Sequence, residues 1–394
     1  MQRVKAQSEA TPGGGDGARQ DVAALIAAAR RVTIKVGSSL LIDPSEKRVR
    51  KIWLASLGDD IATLRADGKQ VIVVSSGAVA LGRVHLGLKK SARLDHKQAA
   101  AAAGQALLMQ AWEEALAPHH IPTAQLLLTI EDSERRRRWL NARATIEVLL
   151  AHKALPVINE NDSVATDELK YGDNDRLSAR AAQMVRSDVL ILLSDVDGIY
   201  TADPSRDPDA RHIPFVGELT SEIESYAAGT AAAGVGTGGM QTKLAAARIA
   251  GEFGCATIIA SGHEPHPVAQ LAKGGKATIV AAKGSPRNAY KQWIAGSLAR
   301  DGSVSIDAGA ARALAAGKSL LPAGVLSVTG RFERGACLSV VDEQGREVAR
   351  GLAAYGSRDA QAILGCTSER IAERLGYEGP PELIHRDDLV MVQS

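Results

Sequence analysis

Two apolar runs in this chain stop abruptly in polar clusters, and that arrangement limits the fold more than any other feature. Leu155–Ile158 runs into Asn159-Glu160-Asn161-Asp162, four consecutive positions too polar for a buried strand and so read as a strand end. Val189–Leu193 stops at Ser194-Asp195; between the two runs lie Gly172-Asp173-Asn174-Asp175 and a helical pattern through Val185. Apolar runs without alternation suit parallel strands buried on both faces, and in such sheets the ligand site lies beyond the carboxyl ends of the strands. The three clusters are therefore expected to converge. Taken singly, each has a plainer explanation, because Asp, Asn and Gly form turns and cap helices, and Asp173 or Asn174 could cap the helix that follows. Their recurrence at successive strand ends favours a site.

The same pattern occurs twice upstream. Val32–Val36 carries Lys35 and turns through Gly37-Ser38-Ser39; Val71–Val74 turns through Ser75-Ser76-Gly77-Ala78. A lysine inside an apolar run is costly unless its ammonium reaches water or an anion, so Lys35 is either a phosphate ligand or an edge-strand residue that snorkels. Hydroxyls and open backbone N–H groups ahead of a helix suit an anion. The intervening segments read as helices over about Val49–Asp67 and His96–Ala117, and the Ala-rich run in the latter points to tight helix packing. A short strand over Ala124–Leu128 precedes Arg135–Arg138, whose flanking Glu131, Asp132 and Glu134 favour a solvated helix face over nucleic-acid binding. Alternating strands and helices argue for an α/β sandwich with a largely parallel sheet.

Further on, Gly234-Val235-Gly236-Thr237-Gly238-Gly239 leads into Met240-Gln241-Thr242-Lys243. The string matches GxGxxG, but no strand precedes it and no acid follows at the dinucleotide-binding distance, so a Rossmann site fails. What remains is a glycine-rich loop at a helix start, able to wrap phosphates while Lys243 adds positive charge. Gly317-Lys318-Ser319 has Arg312 where a Walker A loop needs glycine.

At 394 residues two domains are expected. Past Gly284 short β-like segments alternate with turns, which places a small second domain over 285–394 and the α/β domain over 21–284. Residues 1–20, with three consecutive glycines and no apolar stretch, read as a disordered tail rather than a signal peptide. No apolar run is long enough to span a bilayer. The net charge of +2, and 13 basic against 13 acidic residues after Gly284, argue against nucleic acid or membrane as the main partner. Three cysteines without metal or disulfide spacing fit a reducing cytoplasm. No metal ligands follow from the sequence.

Taken in order, IKVGSSLL, VSSGAVALGR, VINENDSVAT, YGDNDRLSA, DVDGIYTADP and GTGGMQTKLAAA closely resemble the amino acid kinase family over about residues 30–390. The carboxyl-terminal segment, with GRFERGACLSV and ELIHRDDL, looks like a PUA domain. The resemblance implies a three-layer sandwich with a largely parallel central sheet, plus a small mainly-β PUA-like domain. It implies ATP- and Mg²⁺-dependent phosphorylation of the γ-carboxylate of L-glutamate, the first step of proline biosynthesis, with feedback by proline. Carried over by position, Lys35 and Lys243 neutralise the transferring phosphoryl group and Asp175 orients the lysines. Ser76, Asp162 and Asn174 hold glutamate. Lys35, Ser194, Asp195 and Thr237, Gly238, Gly239, Met240, Gln241, Thr242 and Lys243 line the nucleotide site. Ser194 and Gln241 stand where the family commonly has threonine and serine. A dimer or tetramer is implied, and a reductase consuming the labile glutamyl phosphate is a natural partner. Two other readings stand beside this one: a kinase of the same fold acting on acetylglutamate or a nucleotide, and a degenerate kinase serving as an RNA-binding regulator.

Overall fold

A computed structural model of the chain describes residues 16–43, 45–89, 93–164, 174–228, 239–296 and 301–392. Its larger sheet has eight strands: β1 (Arg31–Val36), β2 (Gln70–Ser75), β3 (Thr123–Leu128), β4 (Leu155–Glu160), β5 (Val189–Ser194), β6 (Phe215–Val216), β7 (Ala256–Ser261) and β8 (Ala277–Val280). They lie in the order β6-β8-β7-β5-β1-β2-β4-β3. Every pairing is parallel except that of β7 with β8. The expected parallel sheet is present.

Both faces of this sheet are covered, which is why its strands read as unbroken apolar runs. Val71 and Val73 point to one face, against α1 (Asp16–Ala28), α2 (Lys51–Ala66) and α4 (Leu94–Leu116). Ile72 and Val74 point to the other, against α5 (Arg136–Ala151) and α6 (Asn174–Met184). Beyond them on that second face, Leu190 and Leu192 meet α7 (Met240–Glu252). Three layers result.

The chain visits β2, β3 and β4 on one side of β1, then crosses to β5 on the other. β1 is therefore the point where the strand order reverses, and a crevice opens at its carboxyl end. The crossing is made by α6, so its first turn arrives at that crevice.

Helix α3 (Ala78–His85) follows β2 after Gly77, whose φ of +111° lies in a region that favours glycine. α3 crosses α4 with almost no room: a Cβ on Gly104 would stand 1.8 Å from the Ala78 carbonyl oxygen, and one on Gly82 1.7 Å from that of Ala100. The Ala-rich run of α4 is indeed a packing surface.

Two local expectations need correction. Asn159 and Glu160 are not past the strand end; they are its last two residues, 2% and 5% exposed. Side-chain hydrogen bonds make Asn159 tolerable there, as described below. Helix α1 begins at Asp16 rather than near Asp21, inside the stretch set aside as a tail, whose residues 1–15 lie outside the described residues.

The second sheet has five strands, β9 (Gly302–Ile306), β10 (Val325–Gly330), β11 (Cys337–Val341), β12 (Glu347–Leu352) and β13 (Leu389–Met391), in the order β10-β9-β11-β12-β13. Helix α8 (Pro286–Gly296) bridges the two sheets. Its Tyr290 and Ile294 share one apolar cluster with Trp139, Ile146 and Met184 on one side and Cys337 and Leu352 on the other. Beside that cluster, Asp388 Oδ1 accepts hydrogen bonds from Arg143 at 2.7 Å, Tyr290 at 3.0 Å and Arg186 at 3.0 Å. One carboxylate of the second domain thus fastens α5, α8 and the end of α6. Within the arginine run Arg135 pairs with Glu131, Arg138 with Asp132, and Arg137 reaches Glu333 of the second domain. Among the described residues no helix is long and apolar enough to cross a membrane.

Candidate active site

Three charged side chains meet at the carboxyl end of β1. Lys35 Nζ lies 2.5 Å from Asp175 Oδ1, and Lys243 Nζ lies 3.5 Å from Asp175 Oδ2. Thr242 donates its hydroxyl to Asp175 Oδ2 at 2.8 Å. All three charged groups are buried, at 7%, 1% and 2% exposure for Lys35, Asp175 and Lys243. Burial alone would push the Asp175 carboxyl up; the charges of Lys35 and Lys243, with hydrogen bonds from Lys35 and Thr242, outweigh it and hold the group below the usual carboxylate range. Among the described residues two buried cations share this one carboxylate. An anionic ligand would complete the site.

A second cluster adjoins the first through the Asn174-Asp175 peptide. Asn174 Nδ2 donates to Ser76 Oγ at 2.7 Å and to Asn159 Oδ1 at 3.1 Å, and lies 3.4 Å from the Ser75 carbonyl. Three oxygens around one nitrogen fix the orientation of the amide. Its Oδ1 is buried with no hydrogen-bond partner among the described residues, an acceptor left for a ligand. Because Ser76 Oγ accepts from Asn174, its own proton is free to be donated outward. Asn159 in turn donates to Gln105 Oε1 at 2.8 Å, so α4 supports the cluster from behind. Ser75 Oγ is held by Trp112 Nε1 at 3.0 Å.

Asp162 sits in the turn after β4, half-buried and making no hydrogen bond among the described residues. Burial raises its carboxyl to about 6, against a smaller opposing effect of the Lys97 charge. Ser194 ends β5 next to β1. Its Oγ accepts from the Val196 N–H at 3.2 Å and lies 3.3 Å from Asp195 Oδ1, with Asp195 itself exposed. Gly239 stands at the N-terminus of α7, exposed like Gln241, with Met240 and Thr242 half-buried. Thr237 and Gly238, with Gly172 and Asp173, lie outside the described residues.

Of the residues expected from sequence, Lys35, Asp175, Thr242 and Lys243 therefore form one connected group, and Ser76 with Asn174 a second, adjoining one. No hydrogen bond or ion pair among the described residues joins Asp162, Ser194 or Asp195 to either. Asn159 belonged to a polar cluster expected to converge here but was assigned no role of its own, and Gln105 was not singled out. The signal for Asn159 was present, since an amide within a strand needs partners; Gln105 was hidden in a helix read only for its packing.

The comparisons agree with this architecture. The model of the amino acid kinase family matches residues 30–261, and that of the PUA domain matches residues 302–375. The chain belongs to the amino acid kinase family. It is 60% identical to the glutamate 5-kinase of Caulobacter vibrioides over 367 residues, covering 92% of this chain and 97% of that protein. It is 56% identical to the glutamate 5-kinase of Paramagnetospirillum magneticum (93% and 99% covered) and 53% identical to that of Brucella abortus (92% and 96%). Within the family it groups with the glutamate 5-kinases.

Proposed function

We propose that the chain transfers the γ-phosphoryl group of ATP to the γ-carboxylate of L-glutamate, giving glutamyl 5-phosphate and ADP, the first step of proline biosynthesis. The observation that carries this reading is the buried pair of lysines held on one carboxylate at a strand switch point. A carboxylate with pKa near 4.3 is already ionised at neutral pH, so the nucleophile needs no general base. The difficulty is to bring two anions together, and positioning with charge neutralisation is what phosphoryl transfer requires.

In this reading a glutamate carboxylate oxygen attacks the γ-phosphorus, the bond to the β–γ bridging oxygen breaks, and ADP leaves with the electron pair. Lys35 and Lys243 offset the charge on the phosphoryl oxygens, and Asp175 keeps both ammonium groups in place. Ser76 donates to the α-carboxylate. Asn174 Oδ1 and Asp162 accept from the α-ammonium. Ser194, Asp195 and the segment from Thr237 to Lys243 line the nucleotide. Among the described residues no group of three or more His, Cys, Asp or Glu could hold a metal ion. Mg²⁺ would arrive on the nucleotide phosphates, as this cation commonly does, and would supply further charge neutralisation there.

The same reading divides the chain into a kinase domain over 21–284 and a PUA-like domain over 285–394, in a cytoplasmic homo-oligomer. It makes proline an inhibitor acting in or beside the glutamate site and a reductase the consumer of the acyl phosphate. The deciding experiment is ADP release with ATP, Mg²⁺ and each of L-glutamate, N-acetylglutamate, aspartate and UMP, with and without proline. Turnover on glutamate alone, suppressed by proline and restored by excess glutamate, is the expected result. Turnover on acetylglutamate or UMP instead assigns another substrate; none on any, with ATP still bound, removes the catalytic reading.

A further inference from the structure

A cleft of about 610 Å³ opens between the two domains, lined on the first domain by residues at the amino ends of its strands. Arg30 precedes β1 and Asp188 precedes β5, whereas Lys35 and Ser194 lie toward the opposite ends of those strands. A rise of about 3.3 Å per residue separates the two ends by roughly 17 to 20 Å. A small ligand here would not touch the lysine pair.

The lining is unbalanced. Arg30, Arg186, Lys291, Lys318 and Arg386 face two acids, Asp188 and Asp387. Five against two is an excess of three positive charges, more than the +2 that the whole chain carries. The acids are also engaged: Asp188 Oδ2 accepts the backbone N–H groups of Arg30 and Arg31 at 2.9 Å each, and Asp387 lies 3.7 Å from Arg186. Arg30, Lys291, Lys318 and Arg386 make no ion pair among the described residues. Pro286, the first residue of the eleven-residue α8, is also in the wall, so the positive end of that helix adds to the field.

We propose that this cleft binds a small, multiply charged phosphate compound at a site distinct from the reaction centre. Its volume is that of a small-molecule site, and arginine, lysine and a helix N-terminus together suit phosphate oxygens. Three excess charges call for a ligand with more than one phosphate. The second domain as a whole is balanced, which favours a compact ligand seated in the cleft over a nucleic acid spread across the surface.

The test is calorimetric titration of the full chain with inorganic tripolyphosphate, using three proteins: the natural sequence, Lys35→Ala/Lys243→Ala, and Lys318→Gln/Arg386→Gln. The natural sequence is expected to bind at two classes of site, the lysine-pair variant to keep the cleft site, and the cleft variant to lose it or bind there at least about tenfold more weakly. Kinase activity of the cleft variant, expected to be unchanged, reports its folding; should it fail to fold, Lys291→Gln is read in its place. Equal binding by cleft variant and natural protein overturns the proposal, as does loss of all binding in the lysine-pair variant. Cleft-dependent binding of a short single-stranded RNA without binding of tripolyphosphate also overturns it.

Discussion

Lys35 Nζ stands 2.5 Å from Asp175 Oδ1, an ion pair between the central strand and the first turn of the helix that crosses beneath it. Because Lys243 shares the same carboxylate, one residue sets the positions of both cations. Asp175→Asn is expected to lower kcat by about 10² to 10³, or 3 to 4 kcal/mol, with KM for glutamate changed only a few-fold. A folded variant that keeps more than a tenth of kcat would remove Asp175 from this role.

The lysines and Asp162 should separate kinetically. Lys243→Ala is expected to act chiefly on kcat, and Asp162→Ala chiefly on KM for glutamate; equal effects on both parameters in both variants would undo the division of labour.

Asp162 also predicts a pH dependence. Burial raises its carboxyl to about 6, so it is charged above that pH and neutral below it. Only the charged form attracts the α-ammonium strongly. As pH falls through about 6, kcat/KM for glutamate should drop, approaching about tenfold per unit, while kcat holds. The inflection should vanish in Asp162→Asn; its persistence there would assign it to another group.

Gln105 reaches the substrate cluster only through Asn159. Gln105→Leu leaves the Asn159 amide without its acceptor, at a cost of about 1 to 3 kcal/mol in stability. KM for glutamate should rise several-fold with kcat little changed. Steady-state kinetics that match the natural protein would place Gln105 outside the site.

Gly104→Ala would push a Cβ to 1.8 Å from a backbone oxygen that no rotamer change can move. About 3 kcal/mol or more of stability should be lost, with KM rising as well because α3 starts at the Ser76 turn. Chemical denaturation measures the first effect, and an unchanged midpoint would show that the helices can part freely.

Much of this was legible in the sequence because it depends on composition along short stretches. β1, β2, β4 and β5 announced themselves as apolar runs, and a lysine inside one of them had to be explained. Less legible were the features that depend on distant partners. The polarity of Asn159 argued for a strand end, yet the strand continues, because Gln105 and Asn174, far away in the chain, satisfy its amide. The bond from Thr242 to Asp175 likewise required knowing that α6 and α7 begin at the same crevice. Nothing local to Arg143, Arg186 or Asp388 marks them as partners.

Those last three residues carry a consequence for the order in which the protein is made. Arg186 precedes its carboxylate partner by 202 residues. At 5 to 20 residues per second, the ribosome delivers Asp388 roughly 10 to 40 s after Arg186. Until then the first domain holds two guanidinium groups at the far end of α6 with no carboxylate from the second domain to meet them. The helix whose other end carries Asn174 and Asp175 thus gains its fastening to Asp388 only after the rest of its own domain has been made.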